Sequence, residues 1–133
     1  MSFLSNKMKE NASQRKVLFA EDDDSMRRFI EVILRKENYA VVAVEDGLTA
    51  MKAALDGDFD AIVADAVMPN MTGFDLCRML RANEAKKSIP FIILSGIEQN
   101  PNDEDCIADV YLLKDNKIKE NLTKTLDDIF SKK

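Results

Sequence analysis

The sequence of 133 residues contains no histidine and no tryptophan, and only two cysteines, three prolines and four glycines. Without histidine, the chain cannot supply Ser-His-Asp or Cys-His nucleophile pairs, histidine metal sites or imidazole general bases. Cys77 and Cys106 form no CxxC pattern, so we predict two reduced cysteines rather than a zinc site or a disulfide framework. Any chemistry must therefore use carboxylates, hydroxyls or lysine.

The sequence also lacks an excess of basic residues and any long apolar run. Its net charge is −5, whereas nucleic-acid affinity depends on clustered lysine and arginine. Residues 1–14 lack the continuous apolar region of a signal peptide, and no stretch approaches the length of a membrane span. We therefore expect a cytoplasmic protein that binds neither nucleic acid nor a membrane directly.

The composition that is present, 46% hydrophobic and 32% charged, is typical of one globular domain. A chain of this size buries roughly two-thirds of the surface that its unfolded form exposes, which is enough for a core without disulfides or structural metals. Residues 1–14 are polar and show no sustained period, so we predict a flexible N-terminal extension. Residues 15–133 are predicted to form the domain.

Short apolar runs rich in β-branched residues alternate with amphipathic stretches along the domain. The runs predict five strands, at residues 16–20, 39–44, 61–64, 90–94 and 110–113. They are nearly continuous in hydrophobicity, as strands covered on both faces should be. The alternation predicts an α/β fold, a parallel sheet with right-handed crossovers and helices on both faces.

The amphipathic stretches predict helices of unequal strength. The first covers residues 25–36, with Asp24 or Ser25 as its N-cap. Apolar stripes at helical spacing are Met26, Phe29, Ile30 and Ile33 in this helix; Leu48, Met51 and Leu55 after Asp46-Gly47; Phe74, Cys77 and Leu80 after Thr72-Gly73; and Ile118, Leu122, Leu126 and Ile129 in residues 117–130. Residues 98–108 contain a proline and three consecutive acids but almost no apolar stripe, so the fourth helix, between the fourth and fifth strands, is predicted to be short or disordered.

Polar side chains follow four of the predicted strands. They are Glu21, Asp22 and Asp23 after the first, Asp65 after the third, Ser95 after the fourth and Lys114 after the fifth. The carboxyl ends of parallel strands line the functional crevice of such sheets. Converging carboxylates repel one another unless a cation holds them, and oxygen ligands alone indicate magnesium. A hydroxyl and an ammonium group beside them suit a phosphoryl group carried on a carboxylate.

Each of these residues also has a purely structural interpretation. Acids before a helix stabilise its dipole, serine before glycine is common in turns, and lysine is usually a solvated surface residue. Asp65 is harder to explain in this way, because an acid that ends a buried strand must be paired or solvated. The functional hypothesis therefore depends on the coincidence of all these groups at one edge.

Residues 15–130 resemble the receiver domain of two-component response regulators. Residues 17–27 (VLFAEDDDSMR) are similar to the first strand and acidic pair of that family, and residues 65–73 (DAVMPNMTG) to its phosphorylation loop. Residues 90–96 and 111–114 resemble its hydroxyl and lysine strands. The resemblance implies a flavodoxin-like (βα)5 doubly wound parallel sheet with strand order 2-1-3-4-5, and makes residues 15–133 a receiver domain.

The resemblance implies that Asp65 accepts a phosphoryl group from a sensor histidine kinase or a histidine phosphotransfer protein. Glu21, Asp22, Asp65 and the carbonyl of Val67 would bind Mg²⁺. The phosphorylated form would act on a downstream protein target or effector domain, and the domain would be a monomer or a weak homodimer. Such a domain is not an enzyme beyond catalysing its own phosphorylation and slow dephosphorylation.

Further roles also follow only from the resemblance. Ser95 and Lys114 would bind the phosphoryl group, and Ser95 and Tyr111 would form the conformational switch. Tyr111 has an equally plain alternative, which is an aromatic ring at the sheet edge packed against a helix. The residues two positions after Asp65 and Ser95 control hydrolysis in the family; here they are Val67 and Ile97. Neither can position an attacking water, so we predict slow dephosphorylation.

Two other positions and the length of one segment depart from the family pattern. Glu21 replaces the more usual aspartate, and its longer side chain should loosen the metal site without abolishing it. Asp115 replaces a proline in a cis linkage, so we expect a trans peptide and a shifted loop. The interval between Ser95 and Lys114 is shorter than usual, in agreement with an eroded fourth helix.

The residues fit other functions less well than they fit a receiver domain. A haloacid-dehalogenase phosphohydrolase needs a second aspartate where Val67 stands. A flavodoxin would place a phosphate where Glu21 and its neighbouring acids repel it, and no GxxxxGK[ST] loop is present. The remaining alternative is a phosphorylation-independent pseudo-receiver that acts as a protein-docking module, which the altered region 96–115 would favour.

Overall fold

The computed structural model describes residues 14–97 and 108–131. The strands are β1 (Lys16–Ala20), β2 (Ala40–Val44), β3 (Ala61–Asp65), β4 (Phe91–Ser95) and β5 (Val110–Leu113). The helices in these two stretches, numbered in chain order, are α1 (Asp24–Lys36), α2 (Gly47–Asp56), α3 (Gly73–Arg81) and α4 (Ile118–Ser131). The five strands form one parallel sheet in the order β2-β1-β3-β4-β5, so the predicted fold class and strand order are confirmed.

Two predictions fall largely outside the described residues. Residues 1–13 of the predicted N-terminal extension are among those not described, and so are residues 98–107, which contain most of the predicted short or disordered fourth helix and Cys106. Cys77 is buried on α3, as its position in the apolar stripe predicts. In the stretches on either side of these gaps, no helix is long and apolar enough to cross a bilayer.

The central strands separate two apolar layers because successive side chains point to opposite faces. Val17 and Phe19 of β1 pack in the cluster that contains Ile33 and Leu122, from α1 and α4. Leu18 packs in the cluster that contains the buried apolar side chains of α2 and α3. Every residue of β3 and β4 is buried, which explains the continuous hydrophobicity of their sequences.

The helices correct the sequence predictions in detail. The N-cap of α1 is Asp23, not Asp24 or Ser25, and its carboxylate accepts a hydrogen bond from the Met26 amide at 2.7 Å. Phe29 is 48% exposed, because the buried stripe of α1 is centred on other residues, namely Ile30, Ile33 and Leu34.

The α2 helix faces the sheet with its smallest residues. Its buried positions are Gly47, Ala50 and Ala54, whereas Leu48 and Leu55, which belong to the predicted apolar stripe, are exposed. Small side chains allow the helix backbone to approach its neighbours closely, and a Cβ at Gly47 would overlap the Met71 carbonyl. The leucines therefore lie at the margins of the contact.

The amino edge of the sheet, where the strands begin, is fastened by paired polar groups. The Arg81 guanidinium donates to the Ile89 carbonyl at 2.8 Å and to Asp109 Oδ2 at 2.7 Å, and the same Asp109 oxygen accepts from the Phe91 amide at 2.8 Å. Lys86 Nζ donates to the Gly57 carbonyl at 2.6 Å. The Arg81 contacts join α3 to the starts of β4 and β5, and the Lys86 contact joins the loop after α3 to the end of α2.

Candidate functional site

Asp65 is the last residue of β3, and the loop that follows it folds back tightly. Its side chain is buried, with Oδ2 3.0 Å from Lys114 Nζ and Oδ1 3.5 Å from the Val67 amide. The amide of Gly73, the first residue of α3, donates to the Ala66 carbonyl at 3.1 Å. A Cβ at Gly73 would overlap the Asp65 carbonyl oxygen, so this close return of the chain requires glycine.

Glu21 lies directly after β1 and is completely buried. Its Oε1 is 3.0 Å from Lys114 Nζ, and its Oε2 accepts a hydrogen bond from the Asp23 amide at 3.2 Å. Burial, together with the hydrogen bond and negative charge of Asp65, raises the pKa of Glu21 to about 7, although Lys114 acts in the opposite direction. Without a bound cation, Glu21 therefore titrates near neutral pH.

Lys114 joins the two buried acids. It follows β5, and its amide donates to the Ser95 carbonyl at 2.7 Å, which extends the pairing of β4 with β5 beyond the strand end. Burial alone would lower the pKa of Lys114, but the hydrogen bonds and charges of Glu21 and Asp65 outweigh it and raise the pKa. The side chain therefore remains a cation against two carboxyl groups.

Glu21, Asp22 and Asp65 form a cluster whose candidate ligand oxygens all lie within 4.8 Å of one another. Two oxygens on opposite sides of a Mg²⁺ ion at about 2.1 Å would be about 4.2 Å apart, so the cluster has the size of a magnesium site that retains several waters. Its donors are all carboxylates, which are the ligands that Mg²⁺ prefers. Asp22 is exposed, so solvent can reach the cluster from that side.

The other predicted site residues lie around this cluster. Ser95 is buried at the end of β4, and its Oγ accepts from the Ile97 amide at 3.2 Å. Val67 and Ile97 are 75% and 72% exposed, so both apolar side chains face solvent near the site. Tyr111 is half-buried, packs against the α2–α3 side of the core, and accepts a hydrogen bond from the Ala108 amide at 3.0 Å.

Asp115 has a local role that sequence reasoning missed. The described peptide bonds include no cis linkage, so the predicted trans Lys114–Asp115 bond is confirmed. Asp115 Oδ1 accepts from the Lys117 amide at 2.9 Å, and its carbonyl accepts from the Ile118 amide at 3.1 Å. The aspartate thus holds the turn that leads into α4, and an acid shortly before an apolar helical stripe is the signal that could have identified it.

Arg27 is a second residue near the site whose contacts the sequence analysis did not predict. Its Nη1 donates to the Glu21 carbonyl at 2.9 Å, and its Nη2 pairs with Asp24 Oδ1 at 2.5 Å. The spacing of Asp24 and Arg27, three residues apart on one helix, indicates the ion pair. The contact with Glu21 could not be read from the sequence, because it depends on how the loop enters the helix.

Comparisons with known proteins agree with this geometry. A family model described as the response regulator receiver domain matches residues 17–127. The response regulator ArlR of Staphylococcus saprophyticus is 34% identical over 109 residues, which cover 82% of this chain and 50% of that protein. The chemotaxis protein CheY of Pseudomonas aeruginosa is 40% identical over 82 residues, or 61% of this chain and 66% of that one. The chain thus spans about half the length of relatives such as ArlR.

Solved structures are similar over most of the chain. Chemotaxis response regulator CheY4 of Vibrio cholerae superposes with a TM-score of 0.80 at 29% identity and covers 88% of this chain and 99% of its own. The receiver domain of a sensor histidine kinase from Pseudomonas aeruginosa, solved with a magnesium ion coordinated in its active site cleft, gives a TM-score of 0.80 at 29% identity, with 90% and 99% coverage.

Proposed function

The chain belongs to the response regulator receiver-domain family, and from that membership we propose that Asp65 accepts a phosphoryl group from the phosphohistidine of a sensor histidine kinase or a histidine phosphotransfer protein. The observation that carries the proposal is the setting of Asp65, a buried carboxylate at the end of a central strand, 3.0 Å from the Lys114 ammonium. It shares an acidic cluster with Glu21 and Asp22. The chain has no histidine of its own, so the proposed phosphohistidine lies outside this sequence.

In the proposed transfer, an Asp65 carboxylate oxygen attacks the phosphorus in line as the bond from phosphorus to the imidazole nitrogen breaks. The imidazole leaves on the donor protein, and Asp65 becomes an acyl phosphate. Lys114 Nζ, already 3.0 Å from Asp65 Oδ2, pairs with the carboxylate at rest and with the phosphoryl group afterwards. Such transfer depends chiefly on positioning and on neutralising the phosphoryl oxygens, and both are tasks for fixed groups of this kind.

The proposed metal ligands are Glu21, Asp22, Asp65 and the Val67 carbonyl. A bound Mg²⁺ supplies positive charge to the transferring phosphoryl oxygens. Glu21 must lose its proton for the cluster to bind the ion, because metal ligation needs the ionised carboxylate.

After transfer, we propose that the Ser95 hydroxyl donates to a phosphoryl oxygen and that the ring of Tyr111 follows it. The Ser95 Oγ lies at the end of the strand next to β3, which supports this role. Val67 and Ile97 expose apolar side chains near the site, so neither can orient an attacking water, and the acyl phosphate should be long-lived.

The signal would then pass to a downstream protein target or an effector domain through changed protein contacts. We place this activity in the cytoplasm, in a monomer or weak homodimer that binds neither nucleic acid nor membrane directly. The predicted domain bounds, with a flexible extension at residues 1–14 and the receiver domain at 15–133, belong to the same proposal.

The test is phosphorylation with a small phosphodonor such as acetyl phosphate or phosphoramidate in the presence of Mg²⁺. Intact-mass measurement should reveal an adduct of about 80 Da, the mass of one phosphoryl group, in the parent protein. The adduct should be absent in Asp65→Asn and present in Asp60→Asn, a control acid at the other edge of the sheet. A protein that binds Mg²⁺ but takes no adduct would instead be the phosphorylation-independent docking module.

A further inference from the structure

The loop that carries two of the proposed metal ligands contains three consecutive acids, Glu21 to Asp23, and Asp24, the first residue of α1, extends the run to four. Like charges this close repel one another, so the loop needs fixed partners to hold one shape. The Glu21 amide donates to the Val44 carbonyl at 3.1 Å, and the Asp23 carboxylate caps α1. Asp22 lies between these anchors and is the exposed member of the acidic cluster.

Arg27 completes this arrangement from the first turns of α1. Its guanidinium bridges the loop, with Nη1 2.9 Å from the Glu21 carbonyl and Nη2 paired with Asp24. The side chain is only 21% exposed, and a planar guanidinium offers two donors in a fixed geometry that lysine cannot reproduce. The carbonyl that Arg27 holds belongs to the peptide unit between Glu21 and Asp22, so it fixes the direction in which the Asp22 side chain leaves the backbone.

We propose that Arg27 is a positioning residue for Mg²⁺ binding, which acts through the Glu21 carbonyl to aim Asp22 at the cluster. This inference rests on the proposed function. It differs from a simple charge effect in sign: removal of a nearby cation, by Coulomb's law alone, would strengthen Mg²⁺ binding. Loss of positioning weakens it, because groups that orient metal ligands typically contribute about 10–100-fold to affinity.

The experiment measures the Mg²⁺ dissociation constant by calorimetric titration of the full chain, with the metal alone as the probe. Arg27→Gln and Arg27→Lys are compared with the parent and with Arg28→Gln. Arg28 is the matched control, because it is exposed on the same helix and carries the same charge. Both Arg27 variants should bind Mg²⁺ about tenfold more weakly, while Arg28→Gln binds as the parent does or slightly more tightly.

Two further measurements distinguish a loss of ligand positioning from a loss of folding stability. The free energy of unfolding without Mg²⁺ should be nearly the same in Arg27→Lys and the parent, and this conservative variant decides the matter if Arg27→Gln folds poorly. Arg27 variants that bind Mg²⁺ as tightly as the parent, or more tightly, would overturn the inference while leaving the proposed function standing. A parent protein that binds no Mg²⁺ would overturn the proposed metal site and this inference together.

Discussion

At the carboxyl edge of the sheet, two buried acids share one ammonium group, whereas at the amino edge Arg81 and Lys86 each meet an acid or a backbone carbonyl. Lys114 is the cation between Glu21 and Asp65. At the other edge, Arg81 pairs with Asp109 and with backbone carbonyls. Both edges belong to the same strands and the same core, so the difference lies in the side chains that the strand ends carry.

This difference in charge balance predicts that the carboxyl edge serves function and the amino edge serves stability. An excess of buried acid costs free energy in the absence of a bound cation, as the raised pKa of Glu21 reflects. A cation paired with an acid of opposite charge holds the backbone in place but leaves no net charge to attract a metal ion. Substitutions at the amino edge should therefore change the free energy of unfolding, and those at the carboxyl edge should change metal binding and phosphoryl chemistry.

Gly73→Ala should break this separation, because it lies at the carboxyl edge yet perturbs the fold. The added Cβ would overlap the Asp65 carbonyl oxygen, so the loop must move. We expect the free energy of unfolding, measured with denaturant, to fall by about 3 kcal/mol, as overpacking of a tight site does, and phosphoryl acceptance to slow. Gly96→Ala is the control, since its Cβ would meet nothing within 4 Å. Equal stability of the two variants would mean that the loop has room.

Arg81→Met tests whether the amino edge contributes to stability alone. The change keeps the apolar stem but removes the guanidinium donor of two backbone carbonyls and leaves Asp109 with only the Phe91 amide, and we expect a loss of about 2 kcal/mol in the free energy of unfolding. Phosphoryl acceptance per folded molecule should stay unchanged. Arg78→Met removes a half-exposed pair with Asp75 on the same helix and should cost less than about 1 kcal/mol. A slower acceptance in Arg81→Met alone would contradict the division between the edges.

Polar residues in place of Val67 and Ile97 should change the lifetime of the acyl phosphate at the carboxyl edge without affecting the core. In Val67→Asn combined with Ile97→Glu, side chains that can orient water replace exposed apolar ones. The acyl phosphate should decay about tenfold faster, equivalent to about 1.4 kcal/mol in activation free energy. Decay is followed by intact mass after the phosphodonor is removed. Val67→Ala with Ile97→Ala should retain the parent lifetime, and equal decay in all three proteins would refute the assignment.

The strands could be predicted because burial on both faces leaves a direct mark on sequence, a continuous apolar run such as residues 61–64. Strand order left no such mark and came from the family resemblance. The α2 contact shows why helix faces were less certain: hydrophobicity favours Leu48 and Leu55, but close approach of the backbone selects Ala50 and Ala54. Size, rather than polarity, decided which face is buried.

The site could be located from the residue types at the strand ends, but its internal contacts could not. Adjacent acids are nearly interchangeable in sequence, so Asp24 and Ser25 were plausible caps until the geometry selected Asp23. Lys114 reaches Glu21 across most of the chain, a pairing that no local pattern encodes. The same holds for the hydrogen bond from Arg27 to the Glu21 carbonyl.

The smallest expected effect is the pH dependence of Mg²⁺ binding, and it follows from the imbalance at the carboxyl edge. The pKa of Glu21 is raised from 4.5 to about 7, chiefly by burial. Below that pH the cluster holds a proton that must leave before the ion binds, so affinity should rise with pH through about 7 and then level off. From about pH 6.5 to pH 8 the dissociation constant should fall about fourfold.

Glu21→Gln and Asp22→Asn together identify the group responsible. Both should weaken Mg²⁺ binding at every pH, but only Glu21→Gln should also lose the pH dependence, because Asp22 is exposed to solvent while Glu21 is completely buried. Calorimetric titrations at matched ionic strength provide the dissociation constants. If the pH dependence survives in Glu21→Gln, another group carries the titrating proton. Glu21 would then already be ionised in the metal-free protein.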